Sequence, residues 1–255
     1  MRARRGPPAP VSARAFTRRC VGAVARRIGR PQLVGAVYPA ARRVEDEALA
    51  ATVVLAASLH AGSTYVDVGS NRGQLLRDAV RIAPVARHVA FEPIPALAAE
   101  IERALPAVDC RRLALGASPG HARFCHFTKL DGWSGLRRNP EISDERGAPE
   151  YIDVEVSTLD EQLPQLGPAL IKVDVEGAEL QVLEGGRELL SGSRPLLIFE
   201  HVAETAKIYD ASSEALWDLL SGLGYAVFTV TGEGPFTRAG FGGASGVVNW
   251  LARPQ

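Results

Sequence analysis

Tyr65-Val66-Asp67-Val68-Gly69-Ser70-Asn71-Arg72-Gly73 decides the fold of this 255-residue chain. An apolar run meets an acid, then a glycine-spaced turn, then a segment of helical character, Gln74–Ile82. That is the opening of a nucleotide-binding α/β unit. Its glycines let the backbone approach a ligand, and its new helix offers free N–H groups. A dinucleotide fingerprint reads G-x-G-x-x-G and uses its second glycine to approach a pyrophosphate. Here the residue two after Gly69 is Asn71, and the next glycine is Gly73. A wider turn with a side chain at that spot suits a nucleoside carrying an amino acid better than a pyrophosphate. Glycine for tight packing alone is the competing reading.

A second apolar run ends in acids in the same way: Leu170-Ile171-Lys172-Val173-Asp174-Val175-Glu176-Gly177-Ala178-Glu179. With Phe91-Glu92-Pro93 and Ser157-Thr158-Leu159-Asp160, it resembles the FkbM family of S-adenosylmethionine-dependent methyltransferases. The matching pieces run in order from Thr64 to Gly186 and continue weakly through Ile198-Phe199-Glu200-His201. The resemblance implies a class I methyltransferase fold, S-adenosylmethionine as cofactor and a hydroxyl oxygen as acceptor. Natural products, sugars and glycans are the acceptors it suggests.

Composition agrees with one enzyme domain over 44–255, with no Pro/Gly-rich linker between two cores. Cys20, Cys110 and Cys125 make an odd count without metal-ligand spacing, so neither a disulfide framework nor a zinc site is expected. No apolar run reaches the length of a membrane span, and a cytoplasmic enzyme is expected. The formal net charge of zero hides an asymmetry: eleven arginines and no acid precede Glu45, leaving eleven more acids than bases in the rest. Residues 1–43 therefore read as an Arg-rich extension. Its first ten residues are too proline-rich for a helix, and Phe16, Cys20, Val24 and Ile28 fall at helical spacing. The acidic body behind it would repel phosphates, so no nucleic-acid partner is expected.

Beyond the opening unit, the pattern predicts a helix over 45–60, a strand Arg87–Phe91, a helix over 95–105 and a strand over 108–113. A long excursion, 116–167, then carries two strand-like runs, 121–127 and 151–156, around a polar loop. After it come a strand Leu170–Val173, a helix over 180–190 and a strand over 196–199. A helix over 212–221 and strands over 225–230 and 247–251 follow, the last two with no helix between them. Strands alternating with helices make this a doubly wound, mostly parallel seven-stranded α/β sheet. The final pair closes as an antiparallel hairpin, which dinucleotide folds generally lack.

Chemistry in such a sheet gathers at the carboxyl ends of the strands, around the switch point. Asp67 ends the first strand, where it can serve a ligand ammonium or organise the turn of Gly69, Asn71 and Gly73. Glu92 ends the second and can accept two ribose hydroxyls; a solvated strand-end acid is the alternative. Leu115 follows the third, where an adenine would need an apolar edge. Asp174 and Glu176 lie past the fourth. Two like charges so close raise one pKa unless a cation intervenes, and a sulfonium is such a cation. The alternative is a helix cap. His201 follows the fifth strand and is a candidate proton acceptor, since imidazole titrates near neutrality. No metal is expected; magnesium held by Asp174 with Glu200 or His201 is the lesser alternative. The excursion is too long for a plain connection and, with Trp133, Ser134, Arg137 and Arg138 in its loop, reads as a lid over the acceptor. A nicotinamide-dependent oxidoreductase and a non-catalytic nucleoside-binding domain are the competing functions.

Overall fold

The computed structural model describes residues 33–143, 148–164 and 167–255, with side chains from residue 45 onward. The expected helical pattern of the Arg-rich extension, 11–30, lies outside the described residues, as do the first ten residues. Residues Ala50–Gln255 form one compact unit. Helix α1 (Leu33–Ser58) begins well before the expected 45–60.

The opening unit forms as read: β1 (Thr64–Val68), the glycine turn, α2 (Gln74–Ile82) and β2 (Arg87–Phe91). After α3 (Pro95–Ala104), the expected third strand, 108–113, is shorter than expected and a further strand follows just past it. Asp109–Arg111 (β3) joins the main sheet, whereas Ala114–Leu115 (β4) joins a separate three-stranded sheet with Gly120–His126 (β5) and Glu150–Ser157 (β6). The chain returns through α4 (Leu159–Gln162) to β7 (Leu170–Val173). The expected helix over 180–190 breaks into α5 (Glu179–Glu184) and α6 (Arg187–Ser193). The break falls at Gly185, whose added Cβ would lie 2.1 Å from the Gly116 carbonyl oxygen. Backbone meets backbone there, and a side chain cannot. The chain continues through β8 (Leu196–Glu200), α7 (Ala203–Lys207), α8 (Ser213–Gly222), β9 (Tyr225–Thr229), α9 (Arg238–Gly242) and β10 (Asn249–Pro254).

The main sheet has the order β3-β2-β1-β7-β8-β10-β9. Only β10 runs antiparallel, to both β8 and β9. The expected terminal hairpin is therefore present, with the short α9 in its connection, and its last strand inserts between β8 and β9. Successive side chains of a strand point to opposite faces, and the core follows that rule. Val66, Val68, Ile171, Val173, Leu197 and Phe199 pack one face against Val182, Leu190 and Leu220. Tyr65, Leu170 and Ile198 pack the other against Leu55, Leu76 and Ile101. The sheet order reverses at β1, which pairs with β2 on one side and β7 on the other. That switch point is where an open α/β sheet leaves a crevice.

Candidate active site

A cleft of about 780 Å³, open at its mouth, lies at the carboxyl ends of β1, β2, β7 and β8. Its first half is built by the glycine turn. Gly69, Asn71 and Gly73 all have positive φ, 76°, 48° and 66°. Gly69 and Ser70 donate their N–H groups to the Phe91 carbonyl, at 3.0 and 3.2 Å, which fastens the turn to the end of β2. The Glu92 carboxylate completes the fastening. One oxygen accepts the Asn71 N–H at 2.7 Å and the other the Ile94 N–H at 2.8 Å. Burial pushes the Glu92 carboxyl up to about 7, against the pull of those two bonds. Each oxygen keeps a lone pair for a further donor. Ile94, Leu97, Ala114, Leu115 and Phe124 add an apolar wall.

Gly69, Asn71, Glu92 and Leu115 thus meet at one surface, together with Asp174 and Glu176. Gly73 and Asp67 do not line the cleft. Gly73 sits against Ile101 at the start of α2. Asp67 is buried behind the turn, 3.6 Å from the Lys172 ammonium, and offers no face to a ligand ammonium in the cleft. Gly69 lines the cleft and also fits the competing reading, a glycine for tight packing. Its added Cβ would meet the Asp174 carbonyl oxygen at 1.8 Å, so this glycine serves the approach of two strands.

The second half of the cleft is acidic. Asp174, Glu176 and Glu200 each bring a carboxylate oxygen within 4.8 Å of the others. Burial opposes charge on Asp174. The Lys172 ammonium at 3.0 Å and a hydrogen bond from Glu200 nevertheless hold its carboxyl below the ordinary range. Burial and the Asp174 charge push Glu200 to about 11, so Glu200 is the protonated donor of that pair. Burial, then Asp174, push Glu176 to about 8. Glu176 rests at φ 57° beside Gly177 at φ 107°. Glu179 holds this turn by accepting the N–H groups of Val175 and Gly177, both at 3.1 Å.

His201 departs furthest from expectation. Adjacent strand residues face opposite ways, and Glu200 takes the side of the cleft. The His201 ring turns into the core, hydrogen-bonds Ser213 at 2.7 Å and stacks on Phe241 with centroids 5.2 Å apart. Burial lowers its pKa to about 4. It is a neutral core histidine, remote from the proton transfer expected of it.

The excursion closes the cleft from above with Asp131, Gly132, Ser134, Gly135 and Leu136. Arg72, which follows Asn71, reaches Asp131 at 2.6 Å and Glu100 on α3 at 2.9 Å. The turn and the lid are joined by that guanidinium. Ser134 lines the cleft, but Trp133 is exposed, and Arg137 turns away to Asp210 at 2.6 Å. Arg72, Asp131, Lys172 and Glu179 carried no role in the sequence reading, and Glu200 entered it only as an alternative magnesium ligand beside Asp174. Of the four, Lys172 had a visible signal, a lone charge inside an apolar run.

Residues 67–227 match the family described as the methyltransferase FkbM domain. Methyltransferase sdnD of Sordaria araneosa is 32% identical over 161 residues, which cover 51% of this chain and 62% of that protein. The 2-O-methyltransferase NoeI of Sinorhizobium fredii (strain NBRC 101917 / NGR234) is 32% identical over 149 residues, 51% of this chain and 59% of that protein. This chain therefore spans less than two thirds of either relative. The crystal structure of methyltransferase FkbM from Methylobacillus flagellatus KT superposes with a TM-score of 0.48 at 16% identity, over 76% of this chain and 44% of that one. With the family's domain matched over more than half of this chain, the chain belongs to the FkbM family of methyltransferases.

Proposed function

We propose that this protein transfers a methyl group from S-adenosylmethionine to a hydroxyl oxygen of a natural product, sugar or glycan. The observation that carries this reading is the division of one cleft into two unlike halves. The turn, Glu92 and the apolar wall suit a nucleoside. Glu92 has a free lone pair on each oxygen for the ribose hydroxyls, and Leu97, Leu115 and Phe124 give an adenine a dry edge. The acids of the other half suit a cationic methyl donor and a hydroxyl. NoeI, by its name a 2-O-methyltransferase, supports oxygen as the acceptor atom.

When bound, S-adenosylmethionine supplies a methyl group already activated on a positive sulfur. The residues have to hold an acceptor oxygen in line with that methyl, at about 3–3.5 Å, and take its proton. Asp174 and Glu176 divide this work because their surroundings push their pKa values apart. Asp174, kept ionised by Lys172, is the standing negative charge beside the donor. Glu176, raised to about 8, is matched to accept a proton near neutral pH. The protonated Glu200 donates to Asp174 and limits the repulsion among the three acids. Their crowding is met by the Lys172 ammonium and this shared proton.

Calorimetric titration tests the cofactor. S-adenosylmethionine and S-adenosylhomocysteine should bind and NAD should not; binding of NAD alone would overturn the reading. Radiolabelled methyl donor, offered to a panel of polyketides, monosaccharides and oligosaccharides, then tests the acceptor. Label in an acid-stable ether supports oxygen transfer, and label on nitrogen or carbon refutes it. Binding without transfer to any of them favours a nucleoside-binding domain.

A further inference from the structure

Lys172 sits in the middle of a four-residue strand that is otherwise apolar. A lysine is rarely buried unless it is paired, and here its side chain is 13% exposed. It stands in register with Asp67 across the β1–β7 ladder. Its ammonium lies 3.0 Å from Asp174 Oδ2 and 3.6 Å from Asp67 Oδ1. The two acids are not equivalent. Asp67 has a side chain 1% exposed, inside the fold, whereas Asp174 is 29% exposed at the wall of the cleft. One cation therefore links an acid behind the cofactor turn to an acid at the acceptor side, and its shorter contact is with the latter.

We propose that Lys172 is a positioning residue of the methyl-transfer site: it bridges Asp67 and Asp174 and fixes Asp174 as an oriented anion facing the cleft. The role of that anion rests on the methyl-transfer reading above; the anchoring does not. The charges around the ammonium support it. Asp67 and, beyond it, the Tyr65 hydroxyl face it from β1, Asp174 from the end of its own strand and Glu200 from β8. Glu176 and Glu179 lie near enough for the Asp174 charge to help raise their carboxyls. Lys172 is the cation this group shares. Without it, only the Glu200 hydrogen bond would favour charge on Asp174, which would then take up a proton more readily or turn out of the cleft. A lysine needed only to neutralise Asp67 would have no reason to lean toward the cleft.

The test follows the Asp174 side chain directly, by carboxyl-carbon NMR of the full chain labelled at aspartate, with Asp174→Asn to assign the signal. In the wild type, Asp174 should titrate below the ordinary aspartate range. In Lys172→Met its midpoint should move up by about 1–3 pH units, the effect of losing an adjacent cation on a carboxylate. Lys172→Arg should restore it. Asp67→Asn/Lys172→Met removes the inner pair without leaving a buried charge, and should show the same rise. An Asp174 midpoint in or above the ordinary range in the wild type overturns the proposal even if no variant folds, and so does an unmoved midpoint in a folded Lys172→Met. Titration with S-adenosylhomocysteine on the same samples separates the two readings. A rise at Asp174 in a protein that binds neither nucleoside defeats the methyl-transfer function and leaves the anchoring intact.

Discussion

Gly69→Ala should cost this fold more than any loss of ligand affinity would suggest. An added Cβ would lie 1.8 Å from the Asp174 carbonyl oxygen and 2.9 Å from its carbon, far inside the 3.4 Å where ordinary contact begins. The obstacle is backbone, so no side-chain rotation relieves it. It is also tethered, because the Asp174 N–H donates to the Val68 carbonyl at 3.0 Å. The methyl can be admitted only by parting β1 from β7 at the switch point. Holding a non-glycine residue at φ 76° costs about 1–2 kcal/mol, and forcing the overlap about 1–3 kcal/mol more. The total of about 2–5 kcal/mol, at about 2–4 °C per kcal/mol for a domain of this size, lowers the melting midpoint by about 4–20 °C. Gly62→Ala is the control. It shares a positive φ, 86°, but has nothing within 4 Å of its added Cβ, so it carries the backbone part alone. Melting curves by circular dichroism compare the two. A Gly69→Ala protein that melts no lower than Gly62→Ala refutes the close approach of the strands. A variant that keeps its melting point and loses only S-adenosylhomocysteine affinity returns Gly69 to the cofactor-contact role expected from sequence.

Glu92→Gln should behave as a disruptive change. Each carboxylate oxygen already accepts a backbone N–H, so the amide NH₂ must oppose Asn71 or Ile94. Leaving one buried donor unmet costs about 1–3 kcal/mol, and calorimetry with S-adenosylhomocysteine should show a matching loss of affinity. Glu179→Gln should do the opposite, since a single oxygen takes both N–H groups and an amide oxygen can replace it. Burial raises the Glu179 carboxyl to about 7. The folded state thus holds a proton that the unfolded chain has released, and stability declines as pH rises from the ordinary carboxylate range to about 7. Melting curves at pH 5 and pH 8 should show the variant gaining most at pH 8. His201→Ala should bind S-adenosylhomocysteine within twofold of wild type. It should melt lower, having left the Ser213 hydroxyl and the Phe241 ring without their partner. The His201 pKa is lowered to about 4, so the unfolded chain binds the extra proton below its ordinary value. Stability from this residue is lost as pH falls toward about 4, at up to about 1.4 kcal/mol per pH unit. The variant should show less of this acid sensitivity, and a tenfold fall in its turnover would restore His201 as the base.

The main sheet was legible because its strands are short apolar runs that stop at acids or glycines. β1, β2 and β7 begin and end where the pattern puts them. Features set by contacts across the chain were not legible. Nothing near Gly185 says that the Gly116 backbone will press against it, so one helix was expected where two form. The ion pair of Arg72 with Asp131 joins residues far apart in sequence, and the motif around Arg72 says nothing of its partner. The strand-end rule found Glu200 and His201 together but could not tell which would face the cleft. That choice depends on the register of β8, and the histidine fell on the core side. Lys172 was in view throughout, inside the run that carries the resemblance, and was read as part of a strand.

The excursion begins and ends beside itself. Ala114 and Leu115 run alongside Val156 and Ser157, and the Gly116 N–H donates to the Ser157 carbonyl at 2.9 Å. Everything between enters and leaves the fold through one doorway. A segment of another length can be spliced at that doorway while the seven-stranded sheet stays in place, provided it keeps Phe124, which the excursion lends to the apolar wall of the cleft. The covering of the cleft can thus change in length apart from the strand ends that carry Glu92 and Asp174, and on the methyl-transfer reading proposed above the same doorway marks where to graft when a new acceptor is wanted.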